Sequence, residues 1–186
     1  MSEKYSIKMS VVRETEIKDK GASRFFGIPY VPSSMKDNYI DDFFYLAQIR
    51  LSDIAELDTE NILPHDGYLY LVVDAEMYPS DALYIYAEHT DEEPDTQLYG
   101  LNSQSQVGLT DDISYAITFS RAAPDEDCTR LLGVPSGNRE IDGKLLLQYK
   151  PSDFTNVPFY EKLKGYIYVY YEGDDVFDTY FAVDRS

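Results

Sequence analysis

The sequence predicts a mainly β protein in which one strand-turn-helix-strand unit occurs twice, related by a pseudo-twofold axis. Short segments with alternating or uniformly apolar residues are typical of strands, and glycines and prolines interrupt them. Four motifs of the first half recur in the same order in the second half, which indicates an internal repeat. A chain of 186 residues is long enough to bury a core of its own, so we expect residues 1–186 to form a single domain.

The candidate strands follow from the residue patterns. Residues 5–11 alternate apolar and polar side chains, as a half-buried strand does. Residues 43–49 are apolar on both faces, which predicts an interior strand. Further strands are predicted at residues 68–73, 82–87 and 113–119.

One short helix is predicted in the first half. Residues 52–57 suit a single helical turn, in which Ser52 would cap the start and Asp53 would favour the positive end. Residues 26–32 cannot be helical, because their two prolines fix an extended backbone and remove hydrogen-bond donors.

The internal repeat is visible in four pairs of segments. Residues 132–135 (LGVP) match 26–29 (FGIP), 145–148 (LLLQ) match 45–48 (YLAQ), 152–154 (SDF) match 52–54 (SDI), and 165–168 (GYIY) match 67–70 (GYLY). The repeats are predicted at about residues 25–88 and 131–186, joined by an acidic connection at about residues 89–130. This alignment places Gln48 over Gln148 and Gly67 over Gly165.

Tyrosines and glutamines are the candidate binding residues of the two repeats. Side chains alternate along a strand, so each glycine-led strand has tyrosines on one face and mostly aliphatic residues on the other. The tyrosines are expected either to cover a second layer or to line a groove between the halves: Tyr68, Tyr70, Tyr166 and Tyr168. Gln48 and Gln148 each end an apolar strand. Their amides either tie that strand to a neighbouring loop or face a ligand in the groove.

The charge of the chain is strongly negative. It holds 34 Asp and Glu against 16 Lys and Arg, a formal net charge of -18, and such a surface repels nucleic-acid phosphates and anionic lipids. We therefore expect neither nucleic acid nor a membrane as a partner. The acidity serves either solubility alone or a docking face for a basic protein. The candidate docking residues are Asp91, Glu92, Glu93 and Asp95, expected on the same side as Asp111, Asp112 and residues 125–127.

Residues that would indicate an active site are scarce. His65 lies in a Pro-Gly turn, which is typical of a solvent-facing residue, and the carboxylates before Cys128 disfavour a reactive thiolate. No nucleophile elbow, phosphate-binding loop or dinucleotide motif is present, so an enzyme is not favoured. Two histidines and one cysteine are too few for a transition-metal site, and we expect no metal and no cofactor. The single cysteine and the lack of an apolar signal-like segment at the start predict a cytoplasmic protein.

Several of these motifs together resemble the YwqG-like bacterial family of unknown function. The resemblance covers roughly residues 20–186 and rests on 26–32 (FGIPYVP), 44–49 (FYLAQI), 63–70 (LPHDGYLY), 131–135 (LLGVP) and 165–170 (GYIYVY). The chain departs from the family in lacking tryptophan, with residues 160–164 (YEKLK) where a Trp-Gly-Asp-like run is expected. It also has Asn138 and Arg139 where a glutamine often follows the second Gly-x-Pro.

The resemblance implies a roll-like, mainly β fold with few short helices, and no established reaction or catalytic residues. Because some relatives accompany bacterial secreted-toxin loci, it makes an immunity or antitoxin-like role a hypothesis. The leading expectation is a non-enzymatic, protein-binding module of the bacterial cytoplasm that uses its acidic surface. The alternatives are a small-ligand-binding protein or an unrecognised enzyme with a tyrosine-lined groove between the repeats, and a stand-alone structural protein.

Overall fold

The computed structural model describes residues 6–14, 18–37, 43–74, 84–98, 114–123, 125–136, 140–154 and 165–184. Within these ranges, ten strands form one antiparallel sheet and two short strands form a second sheet. The strands are β1 (Ser6–Glu14), β2 (Arg24–Phe26), β3 (Tyr30–Val31), β4 (Phe43–Arg50), β5 (Tyr68–Asp74), β6 (Tyr84–Thr90), β7 (Thr96–Gln97), β8 (Ser114–Ala122), β9 (Arg130–Leu131), β10 (Lys144–Tyr149), β11 (Tyr166–Tyr171) and β12 (Thr179–Asp184). Short 3-10 turns lie at Ser33–Met35, Leu51–Asp53 and Pro151–Phe154.

The main sheet curls into a nearly closed barrel. Its strand order is β12-β11-β10-β9-β1-β8-β2-β4-β5-β6, and the two edge strands β6 and β12 approach each other. The Thr179 hydroxyl of β12 donates a hydrogen bond to the carbonyl oxygen of Ile85 in β6, with an O–O distance of 3.3 Å. Further along β6, the ring of His89 stacks on the ring of Phe177, with the two centroids 5.3 Å apart. The prediction of a mainly β, roll-like fold with few short helices is confirmed.

The two halves exchange their first strands. β1 belongs to the first half but pairs with β9 of the second half, and β8 of the second half pairs with β2 of the first. β1 and β8 also pair with each other along their whole length at the centre of the sheet. Each half therefore contributes one strand to the other half's side of the barrel.

The register places a pseudo-twofold axis at the centre of the β1–β8 pair. Lys8 of β1 faces the arginine of β9, and Ala116 of β8 faces the arginine of β2, so Lys8 and Ala116 are equivalent. By the same offset Ser10 is equivalent to Thr118, and these two residues pair with each other. An axis between two antiparallel strands reverses strand direction, so it exchanges the two ends of the barrel.

Backbone details repeat between the halves. Phe26 and Leu132 both have a φ of 57°, and the glycine after each has a φ of 78°. Gln48 and Gln148 hold the same register position, each opposite an arginine on one side and a tyrosine on the other. The repeat starts one strand earlier than the sequence pattern indicated, because β1 and β8 belong to it. β7 and β8 accordingly lie inside the segment predicted as a connection.

The predicted helical turn after β4 is a 3-10 turn, and the predicted cap is wrong. Ser52 makes no capping hydrogen bond, and the residue before the turn is Arg50. Instead, the Ser23 hydroxyl accepts the Arg50 N–H at 2.9 Å and donates to the Asp53 carboxylate at 2.7 Å. Ser23, which lies just before β2, therefore bridges Arg50 and Asp53. The turn starts at Leu51, one residue before the predicted helical turn at residues 52–57. The second repeat uses a threonine and an aspartate in the same way.

The core inside the barrel is aromatic at one end and aliphatic at the other. Five buried residues fill the end where β2 and β10 finish: Phe25, Phe26, Tyr115, Tyr149 and Phe154. Phe154 is central to this group, with its ring centroid 4.8 Å from those of Phe25 and Tyr149. The five equivalent positions at the other end are all aliphatic: Leu131, Leu132, Ile7, Ile49 and Ile54. The duplication thus kept the burial of these positions and changed their size.

Gly133, which follows β9, and Gly173, which follows β11, both have a positive φ, but only Gly133 packs closely against another strand. A Cβ atom on Gly133 would overlap the Ser6 hydroxyl of β1, whereas a Cβ atom on Gly173 would meet nothing within 4 Å. Both φ values, 78° and 70°, disfavour alanine to a similar extent, by about 1 kcal/mol. We expect Gly173→Ala to cost only this amount and Gly133→Ala to cost about 1–3 kcal/mol more from overpacking. Urea unfolding of both variants measures the difference, and equal losses would contradict the close packing of Gly133 on β1.

Candidate functional site

Both predicted glutamines are fully buried and bind the polypeptide itself. The Gln148 amide donates to the carbonyl oxygen of Cys128 and to the Ser136 hydroxyl, and its oxygen accepts the Ser136 N–H, each at 2.8 Å. The Gln48 amide donates to the carbonyl oxygens of Lys20 at 2.8 Å and Ala22 at 3.3 Å. Gln48 is thereby tied to the loop before β2, and Gln148 to the segments on both sides of β9. These bonds favour the structural interpretation of the glutamines over a ligand-facing one.

Two buried arginines lie beside the glutamines and were not predicted as site residues. Arg24 donates to three backbone carbonyl oxygens of the loop at residues 19–22. The Arg130 side chain is fully buried, and only Nη1 reaches an acceptor among the described residues, the Ser6 hydroxyl at 3.4 Å. In both repeats an arginine precedes two apolar residues and a glycine, which is the sequence signal that identifies this pair.

The candidate tyrosines lie on the outer face of the barrel. Tyr68 and Tyr70 are buried and stack at 6.4 Å, in a separate cluster with Val31 of the small sheet. Tyr166 and Tyr168 stack at 6.2 Å in the other half. Burial raises the pKa of Tyr70. Because the pseudo-twofold axis exchanges the barrel ends, the two tyrosine pairs lie at opposite ends. Tyr68 and Tyr70 belong to a second layer that includes the small sheet, and the two pairs do not together line a groove between the halves.

The acidic loop after β6 is fixed to the barrel with its carboxylates exposed. Asp91, Glu92, Glu93 and Asp95 are all exposed. Glu93 accepts a hydrogen bond from the Tyr68 hydroxyl at 2.7 Å, and Glu92 accepts one from a serine hydroxyl of the 3-10 turn after β3 at 2.9 Å. The backbone N–H of Asp95 donates to a β3 carbonyl oxygen at 3.2 Å. The loop therefore presents its charges in a defined arrangement.

The charges of this loop are not neutralised by the chain. Among the described residues, no Lys or Arg forms an ion pair with any of the four carboxylates. The nearest cationic group is His89, whose Nε2 lies 3.3 Å from the Asp91 carboxylate and carries charge only when protonated. Neutral hydroxyl groups bind Glu92, Glu93 and Asp95, and Lys20 Nζ reaches only the backbone carbonyl oxygen of Asp95, at 3.4 Å.

Two further acidic loops lie at the same end of the barrel. Neighbouring strands alternate in direction, so β4, β6 and β11 all finish at this end, which we call the acidic end. Residues 51–67, 91–95 and 172–178 leave these strands and contain no Lys or Arg. They contain thirteen acidic residues: Asp53, Glu56, Asp58, Glu60, Asp66, Asp91, Glu92, Glu93, Asp95, Glu172, Asp174, Asp175 and Asp178. Lys18 and Lys20 of the loop before β2, together with Arg50 and Lys144, also lie at this end, but the acidic residues outnumber them and the potential there is negative.

A polar cleft of about 370 Å³ opens beside the acidic loop. Three carboxylates line it, those of Asp66, Asp91 and Glu93. Its one cation, Arg50, is already bound to the Asp19 carboxylate at 2.7 Å. Arg50 holds the pKa of Asp19 below its usual value. The cleft thus has an excess of negative charge and room for a side chain from outside.

The expectation that residues 125–127 share a face with the acidic loop is wrong. Asp127 lies at the opposite end, where its carboxylate contacts Lys150, which follows β10, and Tyr166, which starts β11. The charges of residues 125–127 are also partly paired: Glu126 binds Lys8, and the Asp127 carboxylate lies 3.1 Å from Lys150 Nζ. Burial alone would raise the pKa of Asp127, but hydrogen bonds from Ser136, Tyr166 and Lys150 lower it. Asp111 and Asp112 lie outside the described residues.

The remaining candidate residues do not assemble a reactive centre. Cys128 is buried, and burial raises the pKa of its thiol. His65 Nε2 lies 3.6 Å from the Asp58 carboxylate, which itself accepts the backbone N–H groups of Ile62 and Leu63. Across the described ranges, no three His, Cys, Asp or Glu side chains converge where a metal ion could bind.

Comparison with known proteins leaves the family open. No family model matches the chain, and no curated protein matches it significantly, so the resemblance to the YwqG-like family stays a prediction. In the part of the chain that the structure describes, no helix is long and apolar enough to cross a membrane.

Substitution of the two glutamines tests their structural role. Gln148→Leu removes three hydrogen bonds and Gln48→Leu removes two, one of them long. Each buried partner left without a hydrogen bond costs about 1–3 kcal/mol. We therefore expect both variants to be destabilised in urea unfolding, with the larger loss for Gln148→Leu. A loss that is larger for Gln48→Leu, or no loss in either variant, would contradict the structural role.

Proposed function

We propose that the chain is a non-enzymatic protein-binding module that engages a basic partner through its acidic end. The observation that carries this proposal is the loop of residues 91–95, whose four exposed carboxylates have no Lys or Arg partner within the described residues. A surface that served solubility alone would have no need of a fixed loop. Here the loop is held by hydrogen bonds to the barrel while its charges stay free.

Long-range attraction would be the first contribution of this end to binding. Thirteen acidic residues in three neighbouring loops, with no Lys or Arg among them, attract a basic protein from beyond contact distance. Such steering raises the association rate and weakens as salt screens the charges. It also excludes acidic competitors, because like charges repel.

The cleft beside the loop would supply specificity. A Lys or Arg side chain of the partner can enter its volume of about 370 Å³ and meet the carboxylates of Asp66, Asp91 and Glu93. Because Tyr68 holds Glu93 in place at 2.7 Å, little side-chain freedom of this residue would be lost on binding. A partly desolvated ion pair in such a cleft contributes more than one on an open surface.

An immunity or antitoxin-like inhibitor of a basic toxin is one form that this function could take. The support for that form is the sequence resemblance to the YwqG-like family. The support for a cytoplasmic setting is the single cysteine in a chain of 186 residues.

Paired charge variants test the acidic end as the docking site. Asp91→Asn/Glu92→Gln removes two charges at the acidic end, and the control Asp125→Asn/Glu126→Gln removes two charges from the loop before β9, outside the three acidic loops. Wild-type and variant proteins are immobilised and exposed to extract of the source cell at a series of salt concentrations, and captured proteins are then purified for association kinetics. We expect a basic partner whose association rate falls with salt, and falls further for the acidic-end variant alone, by about threefold to tenfold.

Two results would contradict the proposal. One is a partner that associates equally fast with both variants and the wild type. The other is capture of acidic or neutral proteins only, with no dependence on salt. The acidic-end variant is expected to unfold at nearly the wild-type urea concentration, because exposed charges contribute little stability. The control also loses the Glu126–Lys8 ion pair, so its urea unfolding is measured before the association rates are compared.

A further inference from the structure

A second cavity, of about 190 Å³, opens at the acidic end of the barrel. It lies where the loop of residues 57–62 meets β1, β10 and β11, so both halves of the chain line it. Part of its lining is apolar, and the rest carries two carboxylates, the hydroxyl groups of Thr59 and Tyr171, and one lysine. For comparison, an apolar cavity of about 150 Å³ is large enough to bind benzene.

Pseudo-symmetry explains why this end has space. The equivalent positions at the opposite end hold aromatic rings, and those rings pack on one another at 4.8 Å. At the acidic end the same positions are Leu and Ile, two of which, Ile7 and Leu132, form a wall of the cavity. The smaller side chains leave unfilled the volume that aromatic side chains occupy in the other half.

The polar side of the cavity favours a positive charge. Asp58 and Glu60 line it, and their charges are among the causes that, after burial, raise the pKa of Tyr171. Asp58 is 3 % exposed, and its carboxylate accepts the backbone N–H groups of Ile62 and Leu63, so it contributes negative charge while Glu60, which is exposed, offers the accessible carboxylate. The one lysine at the rim, Lys144, is held by the Gly173 carbonyl oxygen at 2.9 Å and lies over the Tyr171 ring.

We propose that this cavity binds a small organic cation: a primary amine on a compact apolar body about the size of a six-membered ring. The apolar body packs against Ile7, Leu132 and Leu145, and the ammonium group pairs with the Glu60 carboxylate, while the charge of buried Asp58 adds to the attraction. The acidic end raises the local concentration of such a cation and repels the corresponding acid. This site is separate from the cleft at the loop of residues 91–95 and does not rest on the protein-binding proposal.

Three ring compounds of equal size measure the charge preference. Cyclohexylamine, cyclohexanol and cyclohexanecarboxylate are titrated into protein with labelled Ile and Leu methyl groups, and methyl NMR shifts locate the site. We expect saturable shifts at Ile7, Leu132 and Leu145, with the amine about tenfold tighter than the alcohol and the carboxylate weakest. Ammonium ion at the same concentration should not displace the amine, because it has no apolar body.

Two variants and two controls distinguish amine binding inside the cavity from nonspecific attraction of the amine to the acidic loops. Leu132→Phe places at this position the residue that its equivalent Phe26 already carries at the same φ of 57°, so it fills the space without new backbone strain. It is expected to weaken amine binding by tenfold or more. Glu60→Gln is expected to reduce the preference for amine over alcohol, whereas Glu56→Gln, an exposed change on the same loop outside the cavity lining, leaves it unchanged. Asp91→Asn/Glu92→Gln also leaves amine binding intact.

Several outcomes would overturn the inference. These are equal affinity for amine and alcohol, shifts scattered over the acidic loops without saturation, or binding that Leu132→Phe does not weaken. If Leu132→Phe fails to fold, Leu145→Phe, which fills the cavity from the β10 side, is the second variant, and it too is expected to weaken amine binding. The absence of any methyl shift at millimolar amine would also contradict the proposal.

Discussion

The pairing of β1 with β8 is the interaction on which the rest of the barrel depends. These two strands pair along their whole length, and each also completes the sheet of the other half. Removing either strand would leave the short strands β2 and β9, of three and two residues, without a partner on one side. Neither half can therefore close its own side of the barrel. The pseudo-twofold axis between Ser10 and Thr118 follows from this exchange and sets which residues share an end.

The axis turns a duplicated sequence into two different ends. Equivalent residues lie at opposite ends, so any divergence between the repeats becomes a difference between ends and not between faces. One end is packed with aromatic rings. The other has aliphatic side chains, an open cavity and thirteen acidic residues in its loops. Both proposed sites belong to this second end, where the negative potential favours basic side chains and small cations alike.

The sequence allowed the fold class, most strands and the repeated motifs to be predicted, because these follow from local alternation and from the order of matching segments. Strand exchange could not be predicted, because the choice of ladder partner is a long-range property that no short pattern reports. The capping role assigned to Ser52 was wrong because Ser23, distant in sequence, supplies the competing hydroxyl. The sequence predicted the tyrosines and glutamines as repeated pairs, but it could not show that the members of each pair lie at opposite ends of the barrel.

Native-state hydrogen exchange in a variant destabilised in one half tests the strand exchange most directly. Gln148→Leu weakens the second half, and protection of the amides in β5 of the first half is compared with that in β11 of the second. If the exchanged strands lock the halves into one cooperative unit, the free energy of opening falls by the same amount in both strands. A loss of protection confined to β10 and β11, with β4 and β5 unchanged, would show two independently folding halves and contradict the account.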